Sequence, residues 1–313
     1  MTGIRQVSTR DMSRAEWLAQ RRQTIGGSDA SAIIGLSPYA TPYTVWADKT
    51  GRLPDKEDSE AMRLGRDLED YVAKRWCEAT GKKVRRLQAM LYNPDYPHAH
   101  ADVDRMVVGE DAGLECKTTS TLNIAQFRGE DFPEKYYAQC VHYLAVTGCK
   151  RWYLAVLVFG RGFFTYTLDR DDAEIKALMD AEADFWRTVE TDATPAVCGA
   201  EADTEALGTI YRESFQGERQ LFGREPMLRE HAELKRQKKA IEERMGEIEN
   251  TLKLDMQNAE KGECGRFTIS WKSQSRSTFQ PKAFSRDHPG IDLGPYYKTS
   301  TVRPFKITED KRE

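Results

Sequence analysis

Leu114-Glu115-Cys116-Lys117-Thr118 lies between a glycine-containing turn, GEDAG at 109–113, and a polar run, TTSTLN at 118–123. A short apolar segment bounded by turn residues reads as a strand, yet this one carries a carboxylate and an ammonium two residues apart. Successive side chains of a strand alternate faces. Glu115 and Lys117 therefore share one face, and Leu114, Cys116 and Thr118 share the other. The apolar face has a core to pack into, while the charged face is either a solvated surface with an incidental ion pair or one wall of a site. An isolated E-x-K match reads as the former, so the surrounding sequence decides.

Upstream, KVRRLQAMLYN at 83–93 and HAHADVDRMVV at 98–108 carry strand-like patterning. With the GEDAG turn and LECKTT they predict an antiparallel meander of three neighbours. Before them, Met62, Leu64, Leu68, Tyr71, Val72 and Trp76 recur at helical spacing and predict a helix over 60–80 that stops at Gly81. Residues 13–36 predict two short helices around Gly26-Gly27, with Ser28 or Asp29 capping the second. Downstream, Pro133 opens a helix that ends at Gly148, two apolar strands follow (RWYLAVLVFG and GFFTYTLD), and an acidic helix runs over 171–189.

Residues 193–226 read as a connection. Beyond it Leu234, Ile241, Met245, Ile248 and Leu252 form a heptad-like stripe on a highly charged helix, and the alternation of Phe267, Ile269 and Trp271 predicts a small β element. The expected division is a domain over 1–210 and an appendage over 211–313, with no internal repeat.

Bulk properties narrow the function classes. The chain has 313 residues, 39% hydrophobic and 31% charged, enough for a sizeable core in a polar protein. No apolar run approaches the ~18 residues of a membrane span, and the first residues lack the apolar centre of a signal peptide. The expected location is the cytoplasm, with no membrane partner. Cys77, Cys116, Cys140, Cys149, Cys198 and Cys264 show no C-x-x-C pair and no histidine at ligand spacing, so reduced and mostly buried thiols are expected. The net charge is −3, but residues 169–206 alone hold twelve acids against three bases. The remainder is basic enough to meet a polyanion.

Asp102 and Asp104 stand directly upstream of the E-x-K strand. Carboxylates brought together raise one another's pKa and cost stability unless a cation lies between them. Mg²⁺ is suited to that place, because it takes one or two carboxylates, keeps several waters and binds phosphate oxygens. A lysine beside it can orient the attacking water or balance charge in the transition state.

In their order, Glu69, Asp104, Glu115-Cys116-Lys117 and Gln139 resemble the PD-(D/E)XK nuclease superfamily, and within it the YqaJ-like viral recombinase and phage lambda exonuclease family. Flanking motifs carry the same likeness: Trp17, Arg21 and Ile25-Gly26-Gly27-Ser28-Asp29, then GLSPYATPYTVWADKTG, then Gly65 to Glu69, and finally Tyr136-Tyr137-Ala138-Gln139. The resemblance implies an α/β fold with a central mixed β-sheet flanked by helices, followed by the long helix and small β appendage. It implies that Asp104 and Glu115 bind Mg²⁺, with Mn²⁺ as a substitute, together with the Cys116 carbonyl. Lys117 would then handle the nucleophilic water, Glu69 would serve a second ion or a bound water, and Gln139 would orient a water or phosphate. Arg21 and Ser28 match positions that grip a terminal 5′-phosphate.

One departure stands out. Where the family has a small residue, Pro, the metal aspartate and Gly, this chain has Asp102-Val103-Asp104-Arg105. Both aspartates can face the site, and alignment favours Asp104. Glu69 sits among Asp67 and Asp70 and can also be read as part of a solvated helix face, and Gln139 as an ordinary polar helix residue. Tyr143, one turn beyond Gln139, reads first as core. His98, His100 and His142 read as structural or surface residues.

The implied activity is 5′-to-3′ digestion of one strand of linear double-stranded DNA, leaving a 3′ overhang for single-strand annealing. A ring-shaped homotrimer and a single-strand annealing protein are the implied partners. Two alternatives share these residues: an endonuclease or exonuclease of other polarity, and a non-catalytic DNA-binding subunit.

Overall fold

The computed structural model describes residues 3–55, 58–129, 131–298 and 303–308, and the chain divides into two compact units, Met1–Arg212 and Glu213–Glu313. The first unit runs β1 (Arg5–Ser8), α1 (Arg14–Arg22), β2 (Ile25–Gly26), α2 (Gly27–Ile33), α3 (Pro42–Lys49), α4 (Glu60–Thr80), β3 (Val84–Arg85), β4 (Ala89–Tyr92) and β5 (Ala99–Asp102). It continues through β6 (Arg105–Val107), β7 (Ala112–Thr119), α5 (Glu134–Thr147), β8 (Arg151–Val158), β9 (Gly162–Asp169), α6 (Asp172–Glu190) and α7 (Glu201–Ile210).

A five-stranded mixed sheet has the order β3-β6-β7-β8-β9. Only β7 and β8 are parallel, in register from Ala112↔Arg151 to Thr119↔Val158, and α5 supplies the crossover that a parallel pair requires. The other pairs are antiparallel. Helix α4 covers one face: Val72, Ala73 and Trp76 cluster with Leu114, Tyr153 and Ala155. Helix α5 belongs to the main core with Met106 and Trp152. The alternation in β7 therefore sends Leu114 and Cys116 towards α4 and Glu115 towards α5.

The helix limits follow from their caps. Ser59 accepts a hydrogen bond from the Met62 N–H at the start of α4, and Gly81, at φ 70°, ends it. Gly148, also at φ 70°, ends α5, in the left-handed conformation that glycine adopts without strain. Gly113 is required for a different reason. A Cβ there would collide with the indole of Trp152, which is fully buried and cannot yield. Gly113→Ala is expected to destabilise the first unit by about 1–3 kcal/mol, measured as a lower denaturation midpoint; an unchanged midpoint would refute this packing argument.

Several expectations need correction. The meander does not form, because HAHADVDRMVV breaks at Val103. Its first half, β5, pairs with β4 and β2 in a four-stranded sheet of order β1-β4-β5-β2, and its second half, β6, joins the five-stranded sheet. Buried Val103 pins the corner, so Asp102 and Asp104 leave it from different sheets. Neither Ser28 nor Asp29 is the N-cap of α2. Gly26 holds that position, and Asp29 accepts from its N–H at 3.0 Å.

The apolar stripe of α4 is buried only in its second half, since Met62, Leu64 and Tyr71 are exposed; the first half overhangs a cleft rather than the sheet. Residues 201–210, expected in a connection, form α7, whose buried Asp203 accepts the Cys198 N–H at 2.6 Å. Of the six thiols, Cys140 and Cys149 are buried, Cys77 and Cys116 half-buried, and Cys198 and Cys264 exposed.

The second unit comprises α8 (Glu225–Met256), the hairpin β10 (Lys261–Cys264) and β11 (Phe267–Ser270), and α9 (Pro281–Asp287). Ion pairs at i,i+3 and i,i+4, such as Arg229–Glu225 and Lys238–Glu242, run along α8. The heptad residues Leu234, Ile241, Met245, Ile248 and Leu252 are at least 36% exposed. No helix among the described residues is long and apolar enough to cross a membrane.

Candidate active site

A cleft of about 720 Å³ opens where α1, α2, α4, the β5–β6 corner, β7 and α5 meet, and every site residue expected from the sequence lines it. Glu115, 2% exposed, stands at its floor. Its Oε1 accepts from Gln139 Nε2 at 2.7 Å and pairs with Lys117 Nζ at 2.5 Å, while its buried Oε2 has no hydrogen-bond partner among the described residues. The charge pair that opened the question is thus one ion pair on one strand face, directed at α5 and not at bulk solvent.

The Asp104 carboxylate is fixed by the β7 backbone: its Oδ2 accepts the Cys116 N–H at 2.7 Å. That bond can form because β6 pairs with β7 only up to Arg105↔Leu114, which leaves the Cys116 amide, two residues on, for a side chain. Removal from water, followed by the charges of Glu115 and Glu69, pushes the Asp104 carboxyl well above the usual carboxylate range. Burial opposes the Lys117 ammonium, but Glu115 and Asp104 outweigh it and hold its pKa above the ordinary lysine value.

Asp102 goes elsewhere. Its Oδ2 accepts from Trp17 Nε1 at 2.8 Å. Burial raises its pKa, and the Trp17 bond and the Arg21 charge oppose that rise. Of the two aspartates, Asp104 is the one that adjoins Glu115 and Lys117. Tyr143 is buried but polar in function: its hydroxyl accepts from Gln139 Nε2 at 2.8 Å and donates to the Asp102 carbonyl at 3.2 Å. It thereby locks the amide that steadies Glu115.

Glu69 reaches the cleft wall but is tied to Arg105, whose guanidinium also donates to Asp70 at 2.6 Å and to the Asp104 carbonyl at 2.6 Å. Arg86 lies 2.9 Å from Asp70 and 3.7 Å from Glu69. At the other end of the cleft Arg21 Nη2 donates to Ser28 Oγ at 2.7 Å, with its guanidinium 4.7 Å from the centre of the Trp17 ring. Asp29 is held well below the usual range despite its burial, by Lys49 and Arg21, with Lys49 Nζ at 2.7 Å.

Arg105 and His100 belong to the site without a strong signal in the sequence. Arg105 reads there only as a departure from glycine, although an arginine inside a short apolar strand is a signal that some carboxylate must meet it. His100 reads as structural. Its alternation with Asp102 along β5 offered the only hint of a common face.

The donor set can be tested against a metal ion. Among the described residues no three His, Cys, Asp or Glu side chains converge as a ligand cluster, and Glu69 is paired with Arg105. Two carboxylates remain, one with a buried oxygen lacking a partner, beside a backbone carbonyl. All are hard oxygen donors, and an ion such as Mg²⁺ takes one or two carboxylates and fills its shell with water and phosphate oxygens. The residues present therefore fit a hard divalent cation with most of its shell left to solvent and substrate.

Comparison with known proteins adds the lineage. Residues 16–150 match the YqaJ-like viral recombinase domain. The chain is 39% identical over 305 residues to the uncharacterized protein YqaJ of Bacillus subtilis (strain 168), covering 96% of this chain and 95% of that one. Among solved structures, it is similar to an alkaline exonuclease from Laribacter hongkongensis, with a TM-score of 0.48, 20% identity and coverage of 57% of this chain and 93% of that one. It is also similar to a phage-related exonuclease from Haemophilus somnus 129PT, with a TM-score of 0.43, 13% identity and coverage of 56% and 99%. On the strength of a relationship that spans nearly the whole of both sequences, the chain belongs to the YqaJ-like viral recombinase family.

Proposed function

We propose that the protein is a Mg²⁺-dependent deoxyribonuclease that digests one strand of linear double-stranded DNA from its 5′ end and leaves a 3′ overhang for annealing. One observation carries this reading: Asp104, Glu115 and Lys117 converge on one cleft, with a buried carboxylate oxygen left over.

Asp104 and Glu115, with the Cys116 carbonyl, would hold the ion. When bound, Mg²⁺ polarises a phosphoryl oxygen and acidifies a water. Lys117 Nζ has three N–H donors; one is engaged by Glu115, and the others hold the attacking water in line with phosphorus and steady charge on a phosphoryl oxygen. Gln139, locked by Tyr143, keeps Glu115 from rotating. The water oxygen bonds to phosphorus, the bond from phosphorus to the 3′-oxygen of the terminal nucleotide breaks, and the proton lost by water is returned to that oxygen through solvent. Each turnover leaves a new 5′-phosphate, which Arg21 and Ser28 would hold. Mn²⁺ would substitute for Mg²⁺, and a ring trimer acting with a single-strand annealing protein is the corresponding assembly.

The test is a linear duplex labelled at its 5′ ends. Release of labelled mononucleotides in Mg²⁺, and none in EDTA, is the expected result; nicking of closed circles, or release beginning at the 3′ end, would overturn the polarity.

A further inference from the structure

His100 is 1% exposed, in β5, and its register partner in the parallel pairing with β2 is Gly26. The residue is held at two points: ring Nδ1 lies 2.8 Å from Thr24 Oγ1, and the main-chain oxygen accepts from His142 Nε2 at 2.8 Å. The other ring nitrogen, Nε2, is buried and has no hydrogen-bond partner among the described residues, although His100 lines the cleft. A buried polar atom without a partner costs free energy unless something completes it.

Gly26 shows where Nε2 is directed. A Cβ built on Gly26 would come within 3.1 Å of His100 Nε2 and 3.6 Å of Arg21 Nη2. The absence of a side chain at Gly26 therefore lets the His100 ring approach the backbone closely, with Arg21 Nη2 bordering the same point and donating to Ser28 Oγ at 2.7 Å. Burial, together with the Lys49 and Arg21 cations, pushes the imidazole down to about 3, so the ring is neutral and bears a single proton. If the Thr24 hydroxyl donates to Nδ1, that proton resides on Nε2, which is then a donor at the margin of the cleft.

We infer that His100 is a binding residue for the phosphate at the end of a DNA strand, its Nε2–H donating to a phosphate oxygen beside Arg21 and Ser28, with Thr24 fixing the tautomer. This assignment rests on the nuclease reading above. A neutral donor is chemically suited to this place. A second full cation next to Arg21 would repel it, whereas an N–H adds a charge-assisted bond to the anion at no such cost. Its consequence is selectivity for a terminal phosphate over a terminal hydroxyl.

The experiment compares full-length wild type with His100→Leu, His100→Gln and Thr24→Val. Binding of one blunt duplex carrying either a 5′-phosphate or a 5′-hydroxyl is measured by fluorescence anisotropy in EDTA. The wild type is expected to prefer the phosphate. His100→Leu is expected to lose about tenfold of that preference, His100→Gln to retain part of it, and Thr24→Val to lose part of it. An equal preference in folded His100→Leu, as would follow if Nε2 served only a solvent molecule, overturns the inference, and so does a wild type without preference.

Metal-dependent loss of linear DNA by the wild type, measured alongside, keeps the nuclease reading standing in either case; a wild type that neither binds nor degrades duplex sinks both. Should His100→Leu fail to fold, long-range ¹⁵N–¹H spectra of the wild type decide. An Nε2–H tautomer that shifts on addition of a 5′-phosphorylated dinucleotide supports the role, and an Nδ1–H tautomer or an unmoved signal refutes it.

Discussion

Alanine in place of Lys117 is expected to slow Mg²⁺-dependent hydrolysis of linear duplex by about 10²–10⁴-fold, with duplex binding in EDTA nearly unchanged. The reasoning is geometric. Lys117 shares its strand face with Glu115 and its ammonium lies 2.5 Å from Oε1, so it sits at the carboxylate that would hold the ion. Its removal leaves Gln139 on the same oxygen and the Asp104–Cys116 bond intact, so the wall of the cleft keeps its shape. The loss should fall on kcat in single-turnover measurements rather than on KM. Activity within about threefold of wild type, well below the cost of losing a positioned donor, would remove Lys117 from the chemistry.

His142→Ala is expected to have the largest effect on stability, about 3–5 kcal/mol, read from urea unfolding near pH 6. His142 and Glu182 are both fully buried, with Nδ1 2.8 Å and 3.0 Å from the two carboxylate oxygens. The Nε2 faces a carbonyl, the main-chain oxygen of His100, which can only accept, so Nε2 must donate. The proton shared between Nδ1 and Glu182 completes a pair that ties α5 to α6 and to β5. Burial alone would lower the His142 pKa, but the Glu182 charge, its hydrogen bond and the His100 carbonyl outweigh it and raise the pKa above its ordinary value.

The sign follows from that direction. A raised folded-state pKa contributes stability that is fully present below the unfolded value, about 6.5, and is lost as pH rises through the folded value. The gap between wild type and variant should therefore narrow as pH rises above the ordinary histidine value. A gap that widens with pH would show the pair to be differently protonated.

Much of the candidate site was legible before the fold was known. The alternation in Leu114 to Lys117 placed Glu115 and Lys117 together, because a strand has period two whatever surrounds it. Helix α4 was readable from its apolar spacing and α5 from Pro133, and Gly81 and Gly148 end them by local backbone conformation. Gln139 fell on the correct helix for the same reason. Ordered motifs also named Arg21, Ser28, Glu69 and Asp104, and the structure brings all of them to one cleft.

What stayed hidden depended on partners distant in sequence. HAHADVDRMVV reads as one strand because nothing local distinguishes its halves. It is two strands because β4 and β7 compete for it from different sheets. That division separates Asp102, bound to Trp17, from Asp104, bound to the β7 backbone. Likewise Arg105 looks like a departure until Glu69 and Asp70, 36 and 35 residues earlier in the chain, are seen to meet it from α4. His100 looks like core until its buried Nε2 is seen to lack a partner among the described residues, beside Gly26 and Arg21.

The sequence by itself determined the identity of the charged strand, the helices on either side and the residue types available to a metal and a phosphate, since period and capping are properties of neighbours along the chain. Only the tertiary structure decided which carboxylate meets which partner, because the burial that sets a carboxylate's charge and the amide or guanidinium that satisfies it come from segments that the chain brings together last.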